Sequence, residues 1–138
     1  MCNARFVSIV EDDEALRLAM DTLVRSFGRQ TLLFASAEEF LTSGLIVESA
    51  CVLCDVMLDG ISGIAMHEKM LELGYRTPVL FLTSFPTRDQ TVRAMTNGAL
   101  AVLSKPVDAD TIAHWLGIML DSPRQRPSTG EAPSFPND

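Results

Sequence analysis

Five polar residues stand where apolar runs stop. Glu11 and Asp12 follow FVSIV, Asp55 follows CVLC, Thr83 follows PVLFL, and Lys105 follows LAVLS. If these ends share one edge of a sheet, three carboxylates, a hydroxyl and an ammonium meet there. Acids that close repel one another, and their pKa values rise unless a cation offsets them. A hard divalent ion with oxygen ligands, Mg²⁺ foremost, would do so. The same ion can bridge a phosphoryl group and offset its developing charge. Thr83 and Lys105 are then donors for the remaining phosphoryl oxygens, and Asp55 is the nucleophile that becomes an aspartyl phosphate. The chemistry is phosphoryl transfer to a side chain.

Each residue alone has an ordinary explanation. Acids at a helix start satisfy free N–H groups and the helix dipole, which accounts for Asp13 and in part Asp12. A threonine after a strand is usually a turn former, and a lysine before proline a loop residue. The ordinary explanation fails on convergence, because four separate apolar runs each hand a polar residue to one place. Ligands of open α/β sheets bind at the carboxyl ends of strands, where these residues fall.

The elements that must position them follow from periodicity. Strands are expected at 6–10, 31–34, 51–54, 78–82 and 100–103. Helices are expected between them. The first carries Leu16, Met20, Leu23, Val24 and Phe27 on one face and closes at Gly28. The second is short, capped by Ser36 with Glu39 three residues on, and turns Ala37, Phe40 and Leu41 inward. The third, 63–73, turns Met66, Met70 and Leu73 inward. The fourth spans 87–97, and Asp108 caps a fifth with Ile112, Trp115, Leu116 and Met119 on one face. The strands are continuous apolar runs, as in a parallel sheet covered on both faces. One doubly wound α/β domain over residues 1–120 is expected. From 121 to 138 the sequence DSPRQRPSTGEAPSFPND has four prolines and one large apolar side chain, so a tail or interdomain linker is expected.

Composition narrows the classes. The chain has 138 residues, 47% apolar, enough to bury a core without staples. Its net charge is −7 and its eleven Lys and Arg are scattered, which argues against direct nucleic-acid contact. No apolar run approaches the ~20 residues that span a bilayer, and no secretion pattern opens the chain. The cytosol is the expected compartment. Cys51 and Cys54 form a CxxC pair that could suggest redox work or a zinc half-site. They lie inside a strand, on opposite faces, with no second pair to complete a zinc site. They read as buried structural cysteines. His67 and His114 have no acid at triad spacing and read as surface or rim residues. Trp115 reads as core or interface.

With these motifs in order, the chain resembles a receiver domain of a bacterial two-component response regulator. The likeness covers roughly residues 5–120. FASAEEFL and the short second helix most resemble the FixJ/NarL class, whose output is usually a helix-turn-helix domain. The resemblance implies a flavodoxin-like five-stranded parallel sheet in the order 2-1-3-4-5. It implies that Asp55 accepts phosphate from a sensor histidine kinase and that Asp12, Asp55 and the Met57 carbonyl ligate Mg²⁺, with Glu11 acting through water. Thr83 and Lys105 would bind the phosphoryl group. The domain would catalyse its own phosphorylation and dephosphorylation, switch its helix 4/strand 5/helix 5 surface, and form a homodimer on phosphorylation.

Three departures stand out. The loop after Asp55 has Asp59-Gly60 where a Pro followed by another residue is common in this family; Gly60 can take positive φ cheaply, so the turn is expected to survive. Many receivers carry an aromatic where this chain has Val102, so the signal is expected to run through Ser84-Phe85-Pro86, with Phe85 the mover. The resemblance places Met57 and Phe85 at the two positions that, in this family, flank the phosphate and tune its hydrolysis; both are apolar, so slow autodephosphorylation is expected. Two other readings compete. A haloacid-dehalogenase-type phosphatase wants a second acid two residues after the nucleophile, where Met57 stands. A receiver-like binding module without phosphorylation would be expected to lack an acid, the Thr or the Lys, and none is lacking.

Overall fold

Each helix starts at a polar side chain that takes up one of its free N–H groups. Asp13 Oδ1 accepts the Leu16 N–H at 3.1 Å, Ser36 Oγ that of Glu39 at 3.0 Å, and Ser62 Oγ that of Ala65 at 3.0 Å. Thr87 Oγ1 accepts from Gln90 at 3.2 Å and Asp108 Oδ1 from Thr111 at 2.8 Å. Such caps contribute about 1 kcal/mol each and fix where each strand-to-helix loop ends.

The computed structural model describes residues 5–121. The elements run β1 (Phe6–Val10), α1 (Glu14–Ser26), β2 (Gln30–Phe34), α2 (Ala37–Thr42), β3 (Ser49–Asp55), α3 (Gly63–Glu72), β4 (Val79–Thr83), α4 (Arg88–Thr96), β5 (Ala101–Ser104) and α5 (Ala109–Asp121). All strand pairings are parallel and the order is β2-β1-β3-β4-β5. The expected fold class and strand order are the observed ones. The expected 121–138 tail, apart from Asp121 at the end of α5, lies outside the described residues.

Alternation along the strands makes two cores. Val7, Ile9, Cys51, Leu53, Leu80 and Leu82 face α1 and α5, meeting Val24, Ile112, Leu116 and Met119. Val10, Val52, Cys54, Val79 and Phe81 face the other way, onto Phe40, Ile64, Met66, Met70 and Ala94 from α2, α3 and α4. Cys51 and Cys54 are both buried, one in each core. Trp115 packs, half-buried, at the margin of the first.

Several side chains depart from expectation. β3 begins two residues earlier than its apolar run, at Ser49. That serine is tolerated because its hydroxyl donates to the Leu45 carbonyl at 3.1 Å and meets Ser8 Oγ at 2.5 Å, satisfying both buried hydroxyls across β1 and β3. Leu16, Phe27 and Leu73 are exposed rather than inward. Phe27 and Leu73 are C-caps, where the chain is already leaving the helix, and Leu16 lies at the mouth of a cavity of about 390 Å³ between α1 and the β5–α5 loop. His114 is exposed, as expected. His67 is not at the surface: it is 3% exposed, with its ring 5.9 Å from that of Phe81. An α3 residue one position past Met66 shares the sheet-facing side of a helix that buries Gly63, Ile64, Met66, His67 and Met70.

Candidate functional site

Parallel register brings the strand ends level. Val10 pairs with Cys54, so Glu11 follows beside Asp55. Asp55 pairs with Leu82, so Thr83 lies one residue further on, and Thr83 pairs with Ser104, which precedes Lys105. Backbone bonds continue past the strands: the Glu11 N–H donates to the Phe34 carbonyl at 3.0 Å, Val56 to Leu82 at 3.1 Å and Lys105 to Thr83 at 2.8 Å. The polar residues are therefore held on backbone that is still part of the sheet.

The geometry closes on Lys105. Its Nζ donates to Asp55 Oδ2 and to Glu11 Oε1, both at 2.7 Å. Asp55 Oδ1 accepts the Met57 N–H at 2.9 Å, Glu11 Oε2 the Asp13 N–H at 3.2 Å, and Asp12 Oδ2 the Asp59 N–H at 3.0 Å. Glu11, Asp12 and Asp55 each offer a ligand atom, and these lie within 4.8 Å of one another. Asp55 and Glu11 are buried, and Thr83 is fully buried. Thr83 Oγ1 accepts the Phe85 N–H at 3.4 Å, which ties the hydroxyl to the following loop. Phe85 and Met57 are exposed. Val102, opposite Phe81, packs against the α2–α3–α4 core.

The site carries more negative than positive charge. Burial raises the Glu11 pKa, and the nearby Asp55 charge adds to this, more than the Lys105 and Asp13 hydrogen bonds lower it. Burial alone would lower Lys105, but its bonds to Asp55 and Glu11 outweigh that and raise it. Three carboxylates stand against one ammonium, leaving a formal −2. That donor set of hard oxygens fits a small divalent cation. Cys54, beneath the site, donates Sγ–H to the Asp55 carbonyl at 3.2 Å, and burial followed by the Asp55 and Glu11 charges pushes its pKa far up.

Three residues support the site from neighbouring elements. Gly63 opens α3 against the site: a Cβ there would collide with the Asp55 carbonyl oxygen and lie 2.8 Å from Cys54 Sγ. Glu38 of α2 accepts the Ile61 N–H at 3.0 Å and so holds the β3–α3 loop, its pKa lowered by that bond. Its carboxylate also fills the space a side chain at Gly60 would need, and Gly60 has φ +83°. Arg17 Nη1 donates to the Glu11 carbonyl at 2.9 Å, fixing the acidic loop to α1. Gly63 left a signal as a glycine at the start of a helical pattern, and Gly60 takes the positive φ expected of it; Glu38 and Arg17 left none.

A parallel doubly wound domain with acids, threonine and lysine level at one sheet edge is built to carry a charged group there. A profile of the response regulator receiver domain matches residues 7–116. The chain belongs to that family and is a phosphoacceptor receiver of two-component signalling. It is similar to nodulation protein W of Bradyrhizobium diazoefficiens, 38% identical over 100 residues, 72% of this chain and 44% of that protein. It is also similar to the transcriptional regulatory protein FixJ of Azorhizobium caulinodans, 31% identical over 102 residues, 74% of this chain and 48% of that protein. The chain spans about half the length of the curated relatives it matches. Among solved structures, the CheY-like response regulator receiver domain protein of Methanospirillum hungatei superposes with a TM-score of 0.79 at 23% identity, covering 86% of this chain and 94% of that one. A two-component response regulator of Clostridium difficile does so with 0.78 at 14%, covering 86% and 97%. These two share the fold.

Proposed function

We propose that Asp55 is the phosphoacceptor, taking its phosphoryl group from the phosphohistidine of a sensor histidine kinase. The observation that carries this reading is the Asp55 carboxylate, buried yet 2.7 Å from the Lys105 ammonium and grouped with Glu11 and Asp12. An Asp55 oxygen attacks phosphorus while the P–N bond breaks, and the histidine nitrogen keeps the electron pair. Lys105, already aimed at Asp55, follows the new phosphoryl oxygens. The Thr83 hydroxyl donates to another, which releases the Phe85 N–H and moves the 84–86 loop. Glu11, Asp12, Asp55 and the Met57 carbonyl would hold Mg²⁺, Glu11 through water, and the ion would offset charge on the phosphoryl oxygens.

The wider setting is inferred on the same footing. The α4–β5–α5 surface changes on phosphorylation and a homodimer forms. The chain serves as the receiver of a cytoplasmic transcriptional regulator, the class its named relatives suggest, and does not itself contact nucleic acid. The family match over residues 7–116 favours this over a dehalogenase-type phosphatase, and the complete acid, Thr and Lys set favours it over a binding module. The test is incubation with acetyl phosphate and Mg²⁺, read by intact mass. The parent chain gains one phosphoryl group and Asp55→Asn gains none; a labelled Asp55→Asn would assign the chemistry elsewhere.

A further inference from the structure

The first turn of α4 carries half of a capping box. Thr87 Oγ1 accepts the Gln90 N–H at 3.2 Å, which is one half of the motif. In the other half, the side chain three residues on returns to the N-cap backbone. Gln90 does not return. Its Nε2 reaches across to Met57 Sδ at 3.6 Å, and its Oε1 is buried without a hydrogen-bond partner among the described residues. A buried amide oxygen left unpaired is costly and calls for a reason.

The reach has a consequence for the site. Met57 follows β3 and Gln90 belongs to the helix that follows β4, so their bridge crosses the ends of the two strands that deliver Asp55 and Thr83. Met57 is itself tied to the acceptor, its N–H on Asp55 Oδ1 at 2.9 Å. Left alone, an exposed, unbranched thioether samples many rotamers. We infer that Gln90 is a positioning residue that holds the Met57 side chain across the ends of β3 and β4, and thereby lengthens the life of the aspartyl phosphate. This rests on the assignment of Asp55 as acceptor. Hydrolysis needs a water oxygen to attack phosphorus as the bond to Asp55 breaks. Asp55 leaves as a carboxylate, and the proton of the water goes to the departing phosphate. A thioether held beside the phosphorus obstructs that approach; a free one does not.

The experiment is a double-mutant cycle on the whole chain. The parent, Gln90→Leu, Met57→Ala and the double variant are phosphorylated with acetyl phosphate and Mg²⁺, the donor is removed, and loss of label is followed. Leucine keeps the volume of Gln90 and removes the N–H, while the Thr87 cap uses only backbone. A weak N–H···S contact makes a two- to five-fold shorter lifetime in Gln90→Leu the expected order of magnitude, roughly. The double variant should decay no faster than Met57→Ala alone, and the labelling rate of Gln90→Leu should stay at the parent value. A lifetime in Gln90→Leu equal to the parent overturns the inference. So does an effect that persists undiminished without Met57, which a merely structural role in α4 would give. A parent chain that takes no label at all overturns the Asp55 assignment and this inference together.

Discussion

Lys105 Nζ lies 2.7 Å from Asp55 Oδ2, and the same nitrogen lies 2.7 Å from Glu11 Oε1. One ammonium therefore compensates two buried acids contributed by β3 and by the end of β1. The partners are 94 and 50 residues away in sequence, so the contact exists only once the sheet is complete.

Replacing that ammonium should expose the debt of charge. Lys105→Met keeps the stem and removes the charge, leaving Glu11 and Asp55 buried without their shared donor. Removing one partner of a buried pair costs on the order of 3 kcal/mol, less at the edge of a sheet. The variant should unfold at lower denaturant than the parent in chelator at neutral pH. Mg²⁺ should restore more stability to it than to the parent, because ligand binding stabilises by mass action. Denaturant midpoints with and without Mg²⁺ check both expectations; a variant indifferent to Mg²⁺ would refute the cation site.

Gly63 offers a steric test of the same site. Gly63→Ala places a methyl against the Asp55 carbonyl oxygen and near Cys54 Sγ. Those neighbours are strand backbone and a fully buried side chain, which cannot swing aside. The expected cost is roughly 1–3 kcal/mol of stability, with slower labelling of Asp55 by acetyl phosphate. Gly74 has open space around it but a φ of +94°, so Gly74→Ala should cost about 1 kcal/mol and leave the labelling rate unchanged.

The sheet and its edge were legible because they rest on period and punctuation. Apolar runs ending in Glu11, Asp55, Thr83 and Lys105 announce both the strands and the site. What escaped depends on side chains crossing between elements. Ser49 extends β3 only because Ser8 and Leu45 satisfy its hydroxyl. His67 looks like a polar helix residue, and only the packing of α3 on Phe81 makes it core. Glu38 and Gln90 carry ordinary helix signals, and their bonds to Ile61 and Met57 are tertiary facts. Phe27 and Leu73 show the reverse error: helical spacing extends through a C-cap, where the side chain no longer shares the buried face.

Buried His67 predicts a stability loss in mild acid. Its Nδ1 is buried with no hydrogen-bond partner among the described residues, and burial lowers its pKa below the ordinary 6.5, with Glu68 offsetting only part. The charged groups nearby are Glu68 on α3, Arg93 on α4, and Arg76, which lines the same small cavity as His67. Between the folded and unfolded pKa values the unfolded chain binds the proton and the folded chain does not. Stability therefore falls as pH drops below 6.5, by at most about 1.4 kcal/mol per pH unit. His67→Leu should flatten the curve as pH falls below 6.5. Urea midpoints across that window check it, and an unchanged slope would mean the ring accepts a proton without cost.

A second window opens lower. Glu68 accepts from Arg93 Nε at 2.7 Å, Arg93 Nη2 at 2.5 Å and Asn97 Nδ2 at 2.8 Å. The Arg93 bond first and the Asn97 bond second lower its pKa from 4.5 to about 2. For a depressed carboxylate the contribution is complete above pH 4.5 and is lost as pH falls from there towards 2. The cluster ties α3 to α4, a helix in which Ala94 is the buried residue. Glu68→Gln should therefore remove part of the acid sensitivity between pH 4.5 and 2, while the His67 window widens because the charge that offsets part of its shift is gone. It should also speed amide exchange in α4 at neutral pH, because the helix loses its bidentate anchor while its Thr87 cap remains. Hydrogen exchange resolved by residue separates the cases: faster exchange confined to α4 supports the tether, and unchanged protection there would show that Ala94 and the cap hold the helix alone.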